Sequence, residues 1–186
     1  MPPHVVVLVE GESDAAVVRV LCRSRGVPDA GLDLRDLGGV TNVGRELRRL
    51  AGDVRVLGLY DAPEERFVRR ALQSTGRHTG DGSLLSHVGF WFCDPDLESE
   101  LIRALGVRRV LGVLDELGEL DRFHAFQRQP QWRGRETADQ LHRFAGTASG
   151  RKLVLARRLA EELTPENVPT PLAELVAAIA DATEVS

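Results

Sequence analysis

The stretch His4-Val-Val-Val-Leu-Val-Glu-Gly-Glu-Ser-Asp14 decides the fold. Five of the six residues before Glu10 are valine or leucine, the composition of a strand buried on both faces rather than on one. The run then meets three acids, Glu10, Glu12 and Asp14, within five residues. Beyond them Val17, Val18, Leu21 and Cys22 recur at helical spacing until Gly26 and Pro28 end the pattern. A buried strand, an acidic turn and a helix open a parallel α/β sheet, with carboxylates at the strand's carboxyl end.

The same unit repeats outward from this stretch. Leu32 to Leu37 alternates as a short strand, and Asn42 to Ala51 reads as a helix closed by Gly52. Val54 to Tyr60 is a third strand ending on Asp61, followed by a helix over Pro63 to Ser74. A polar loop at 76–87 leads to a fourth strand, Val88 to Cys93, which ends on Asp94. Alternating strands and helices imply right-handed crossovers and a mostly parallel sheet flanked by helices. From Asp96 onward the patterns are helical. The expected organisation is an α/β core over residues 1–95 and a helical subdomain over 96–186, packed as one unit.

With 186 residues, 42% hydrophobic and 28% charged, the chain can bury one sizeable core. A net charge of −4 supplies no global basic field, so contact with nucleic acid must use local patches or a bridging metal. Cys22 and Cys93 lack partners at zinc-ligand spacing and read as reduced core thiols. There is no signal-peptide pattern and no apolar run of membrane-spanning length, so a cytoplasmic protein without membrane association is expected.

Three strands thus bring Glu10, Asp61 and Asp94 to one sheet edge, where open α/β sheets hold ligands. Asp14 follows the first strand, and Asp96 and Glu98 follow the fourth. Converging carboxylates repel one another unless a divalent cation neutralises them, and an all-oxygen set suits Mg²⁺ or Mn²⁺. Capping explains some of these acids equally well. Asp61-Ala-Pro-Glu64 fits a helix start, and Asp94-Pro-Asp96-Leu-Glu98 is an acid-rich first turn. Glu10 has no such explanation, since glutamate is a poor strand residue and a poor cap.

The ordered set LVEGESD, LYDAPEE and FCDPDLESELIRALG resembles a Toprim domain, the Rossmann-like metal-binding fold of topoisomerases, primases and some nucleases. The closer resemblance is to the Toprim part of OLD (overcoming lysogenization defect) nucleases and to stand-alone Toprim nucleotidyl transferase/hydrolase domain proteins. QRQPQWRGR and SGRKLVLARRL resemble segments of those stand-alone members. The resemblance implies metal-dependent phosphoryl transfer on nucleic acid, most simply hydrolysis of DNA. It makes Glu10 the first-strand glutamate, Asp14 the second acid of the ExxxE-like motif and Asp61 the first acid of DxD. Asp96 and Glu98 become the later acidic motif. Pro63 stands at the second DxD position, so Glu64 or Glu65 must reach the ion or the site is weaker or single-ion. A non-catalytic metal- or nucleic-acid-binding module, or a Toprim subunit regulated by an ATPase in trans, would share these features.

Lys152 is the only lysine among 24 basic residues. It follows Ser149-Gly150-Arg151 at the start of a helical stretch, where backbone amides can approach a phosphate. Lysine, unlike arginine, can also pass a proton. The resemblance makes Lys152 the lysine that assists Toprim chemistry beside Glu10; a solvated helix face accounts for it otherwise. Gly38-Gly39-Val-Thr-Asn-Val-Gly44 reads as a turn and helix cap, and Trp132 of QRQPQWRGR either docks on the core or meets a strand of nucleic acid. The five histidines form no close cluster in the sequence and take no role in this reading.

Overall fold

A computed structural model describes residues 5–50, 54–77, 84–148 and 150–184. His4, the end of the second predicted helix at 51–52, the middle of the 76–87 loop and Ser149 lie outside the described residues.

The strands are β1 (Val5–Val9), β2 (Leu32–Asp36), β3 (Arg55–Asp61) and β4 (Phe90–Cys93). All pair in parallel, in the order β2-β1-β3-β4. The valine run and β3 occupy the centre because both are apolar on both sides. Val5, Val7 and Val9 enter one core, and Val6 and Leu8 enter the other. The smaller core lies beneath α2 (Val43–Arg49) and α3 (Glu65–Ser74). The larger lies on the opposite face beneath α1 (Glu12–Ser24) and the later helices. Those are α4 (Leu97–Glu116), α5 (Leu120–Gln127), α6 (Thr137–Ala145), α7 (Arg151–Glu161) and α8 (Thr170–Glu184). Val5, Val7 and Val9 share this core with Leu172, Leu175 and Ile179 of α8.

Two glycines are fixed by local geometry. Gly58 sits opposite Phe90 across the β3–β4 ladder, where a Cβ would come within 2.4 Å of the phenyl ring. Gly106 breaks α4 at φ 74°, ψ 154°, a conformation that glycine alone adopts at little cost. The expected fourth strand begins later than its pattern suggests, because Leu85–Val88 forms a 3₁₀ turn and the ladder starts at Phe90. Likewise a 3₁₀ turn over Ala62–Glu64 precedes α3, accommodating Pro63, which has no amide proton to donate. No helix among the described residues is long and apolar enough to cross a membrane.

Candidate metal centre

Parallel strands order every carboxyl end toward one edge, and the helix N-termini that follow lie there as well. Glu10 leaves β1, and its Oε1 accepts the Asp61 amide at 2.7 Å, tying the ends of the two central strands together. Asp14, in the first turn of α1, accepts the Gly11 amide at 2.8 Å and is buried. Asp61 does not cap the turn that follows it. Its Oδ1 instead accepts the Leu97 amide at 3.2 Å, the first of α4.

Asp96 caps α4 by accepting the Ser99 amide at 2.9 Å through Oδ1, so the capping reading holds for one of its oxygens. The other, Oδ2, lies 2.6 Å from His142 Nε2 on α6. Glu98, two residues on, is buried. Its Oε2 meets Lys152 Nζ at 3.1 Å, while its Oε1 is buried without a hydrogen-bond partner. Asp96, Glu98 and His142 form the one group of three among the described residues whose ligand atoms all lie within 4.8 Å of one another. They line a cleft of about 170 Å³ together with Asp61, Arg143 and Lys152.

The electrostatics mark the same place. Burial, then the charges of Glu10, Asp14, Asp96 and Glu98, push the Asp61 carboxyl up to about 8. Burial and Glu98 push Asp14 to about 7, against the opposing Gly11 hydrogen bond. Glu10 is raised by burial, with the Asp61 amide opposing and Glu64 adding to the rise. Burial also raises Asp96, but hydrogen bonds from Ser99 and His142 outweigh it and hold this carboxyl below its ordinary range. Burial lowers Lys152, and Glu98, Asp14 and Asp61 more than reverse it, leaving a firmly charged ammonium.

An unpartnered buried carboxylate oxygen costs free energy that a cation recovers. Two carboxylates and an imidazole are donors that divalent ions accept, so these residues fit a bound divalent metal. Asp94 stands apart: it is exposed, its amide donates to Glu100 and its carbonyl accepts from Arg103. Of the two glutamates after Pro63, Glu64 acts on Glu10, whereas Glu65 is held at 2.6 Å by Arg69 and acts on Tyr60. The amides of Gly38 and Gly39 are occupied by Asp36 and the Glu10 carbonyl, as a turn requires. Trp132 stacks on Phe126 with centroids 5.0 Å apart, and its carbonyl accepts from the buried Gln140; it docks on the helical core.

Solved structures share this architecture. The C-terminal region of the Xanthomonas campestris pv. campestris OLD protein, from a platinum-phased crystal, superposes with a TM-score of 0.75 at 21% identity, covering 98% of this chain and 95% of that one. The C-terminal region of the Burkholderia pseudomallei OLD protein gives 0.71 at 16% identity, covering 98% and 100%. The chain has the OLD-type Toprim fold. No family model and no curated protein matches the sequence, so the likeness to these structures is one of fold. Within the OLD-type fold, the residue that sequence reasoning missed is His142. It lies 46 positions from Asp96, and no spacing rule links the two. The available signal was a histidine beside Leu141 and Phe144, the buried stripe of α6.

Proposed function

We propose that this chain is a divalent-metal-dependent phosphodiesterase acting on DNA in the cytoplasm, an OLD-like Toprim nuclease. The observation that carries the reading is the buried, unpartnered Glu98 Oε1 beside Asp96, His142 and Lys152. A bound Mg²⁺ or Mn²⁺ supplies charge neutralisation, orientation of a phosphate and a lowered pKa for an attacking water. Asp96, Glu98 and His142 would hold the ion, with Asp61, the half-buried Glu10 and the buried Asp14 completing the negative wall. Glu10 also fixes the Asp61 backbone, so the wall is set before an ion arrives.

Lys152 stands at the mouth of the cleft, half exposed, with its ammonium held by Glu98. There it stabilises charge developing on a phosphate oxygen and can deliver a proton to the leaving oxygen. Arg143, exposed on the same rim, offers the backbone phosphate a second positive contact. Pro63 favours one other reading, a module that binds metal and nucleic acid without cleaving, since no carboxylate stands at that position. Incubation with supercoiled and single-stranded DNA in Mn²⁺ separates the two. Chelator-sensitive cleavage that Glu98→Gln abolishes supports the nuclease, and metal-dependent binding without cleavage supports the module.

A further inference from the structure

We infer that His142 makes the cleft a mixed nitrogen–oxygen site that takes Mn²⁺ in preference to Mg²⁺. The inference rests on the metal-site reading above and adds which ion the site selects. A cluster of acids alone would leave that open. His142 changes the donor set because its Nε2 lies 2.6 Å from Asp96 Oδ2 and within 4.8 Å of the Glu98 ligand oxygen. Mg²⁺ favours oxygen ligands and gives up its water reluctantly, whereas imidazole suits first-row transition ions. Mn²⁺ accepts both donor types in an octahedral shell.

The His142–Asp96 hydrogen bond is not by itself a reason to expect a metal, since an aspartate at a helix N-cap holding a histidine is a complete structural motif. It does not account for Glu98. That carboxylate is buried, salt-bridged through one oxygen and left without any partner at the other, next to the same histidine. Asp96 and His142 each place a ligand atom within 4.8 Å of this carboxylate, where an ion drawn to it can meet them. Ligation through Nε2 requires the proton to reside on Nδ1, so entry of the ion replaces the His142–Asp96 hydrogen bond with two bonds to the metal.

Electron spin echo spectroscopy of the Mn²⁺-loaded protein reads the nitrogen directly, and competition with Mg²⁺ reads the preference. The wild type is expected to show imidazole nitrogen modulation and to bind Mn²⁺ more tightly than Mg²⁺ by on the order of tenfold. His142→Gln, which offers an amide oxygen in its place, is expected to lose the modulation and bring the two affinities close together, with its circular dichroism unchanged. Saturable Mn²⁺ binding without nitrogen modulation, or a preference that survives in His142→Gln, overturns the inference and leaves the metal site standing. Absence of Mn²⁺ binding in the folded wild type overturns both. Should His142→Gln fail to fold, the wild-type modulation alone decides the question.

Discussion

Two acid-rich regions of this molecule are built on opposite principles. On the outer surface of α4 and α7, Arg109 reaches Glu162 at 2.7 Å and Glu116 at 2.9 Å, and Arg158 reaches Glu116 at 3.0 Å. Every carboxylate there faces a guanidinium, and Glu162 is held below its ordinary range by its hydrogen bond to Arg109. At the sheet edge the acids face one another. Asp14 and Asp61 are pushed to about 7 and about 8, and the salt bridge from Lys152 to Glu98 leaves one Glu98 oxygen bare. The first arrangement is finished within the chain. The second leaves like charges facing one another and an oxygen without a partner, a strain that a bound cation would relieve.

The sharpest contrast lies in what an arginine would do in each place. In the outer network, guanidinium suits the forked geometry. In the cleft it is too broad and cannot pass a proton. Lys152→Arg is therefore expected to lower nuclease turnover by roughly a hundredfold, the lower range for lost general-acid help, while Mn²⁺ affinity and Tm stay nearly unchanged. Full activity in this variant would place Lys152 with the solvated surface cations.

The two regions should also respond to pH in opposite windows. Glu162 has a lowered carboxyl, so its stabilising effect is present above the unfolded value of 4.5 and is lost as pH falls through the folded value. Asp14 and Asp61 have raised carboxyls, so between 3.8 and about 7 or about 8 the folded state binds more protons than the unfolded one. Stability of the metal-free protein must then fall as pH rises across that interval and level off above it. Thermal melts in chelator from about pH 5 to about pH 8.5 should show this decline, Asp61→Asn should lessen it, leaving the part due to Asp14, and saturating Mn²⁺ in place of chelator should cancel it. A metal-free Tm that rises across the interval contradicts the contrast.

The smallest effect is expected outside the cleft. Arg158→Ala removes a partner from exposed glutamates and should cost little stability, less still at high salt, with the response to Mn²⁺ intact. A large change in metal affinity in this variant would mean that the outer network and the cleft are not separate.

Much of this was legible in the sequence because the signals were local. The valine run could be buried only at the centre of a sheet, and Glu10 at its end had no local use. Asp61, Asp96 and Glu98 followed from strand ends and helix starts, and Lys152 stood out as a lone lysine. Other features depended on contacts between distant segments. Asp94 shares the strand-end position of Asp61 but turns to solvent, because Glu100 and Arg103 engage its backbone. Glu64 and Glu65 were indistinguishable until Arg69 claimed the second. His142 came into view only when α6 packed beside the start of α4. The buried glycine of β3 was likewise readable as a strand residue, whereas its reason, the Phe90 ring at 2.4 Å from a would-be Cβ, was not.

The central claim is that the acids of the sheet edge hold a divalent ion. Calorimetric titration of the metal-free protein with Mn²⁺ near pH 7.5 tests it most directly, with Glu98→Gln titrated alongside. The account predicts saturable binding whose heat depends on the ionisation enthalpy of the buffer, because raised carboxyls release protons as the ion enters, and loss of that binding in a folded Glu98→Gln protein. A folded wild type that takes up no Mn²⁺ at millimolar concentration, or a Glu98→Gln variant that binds as the wild type does, would contradict it.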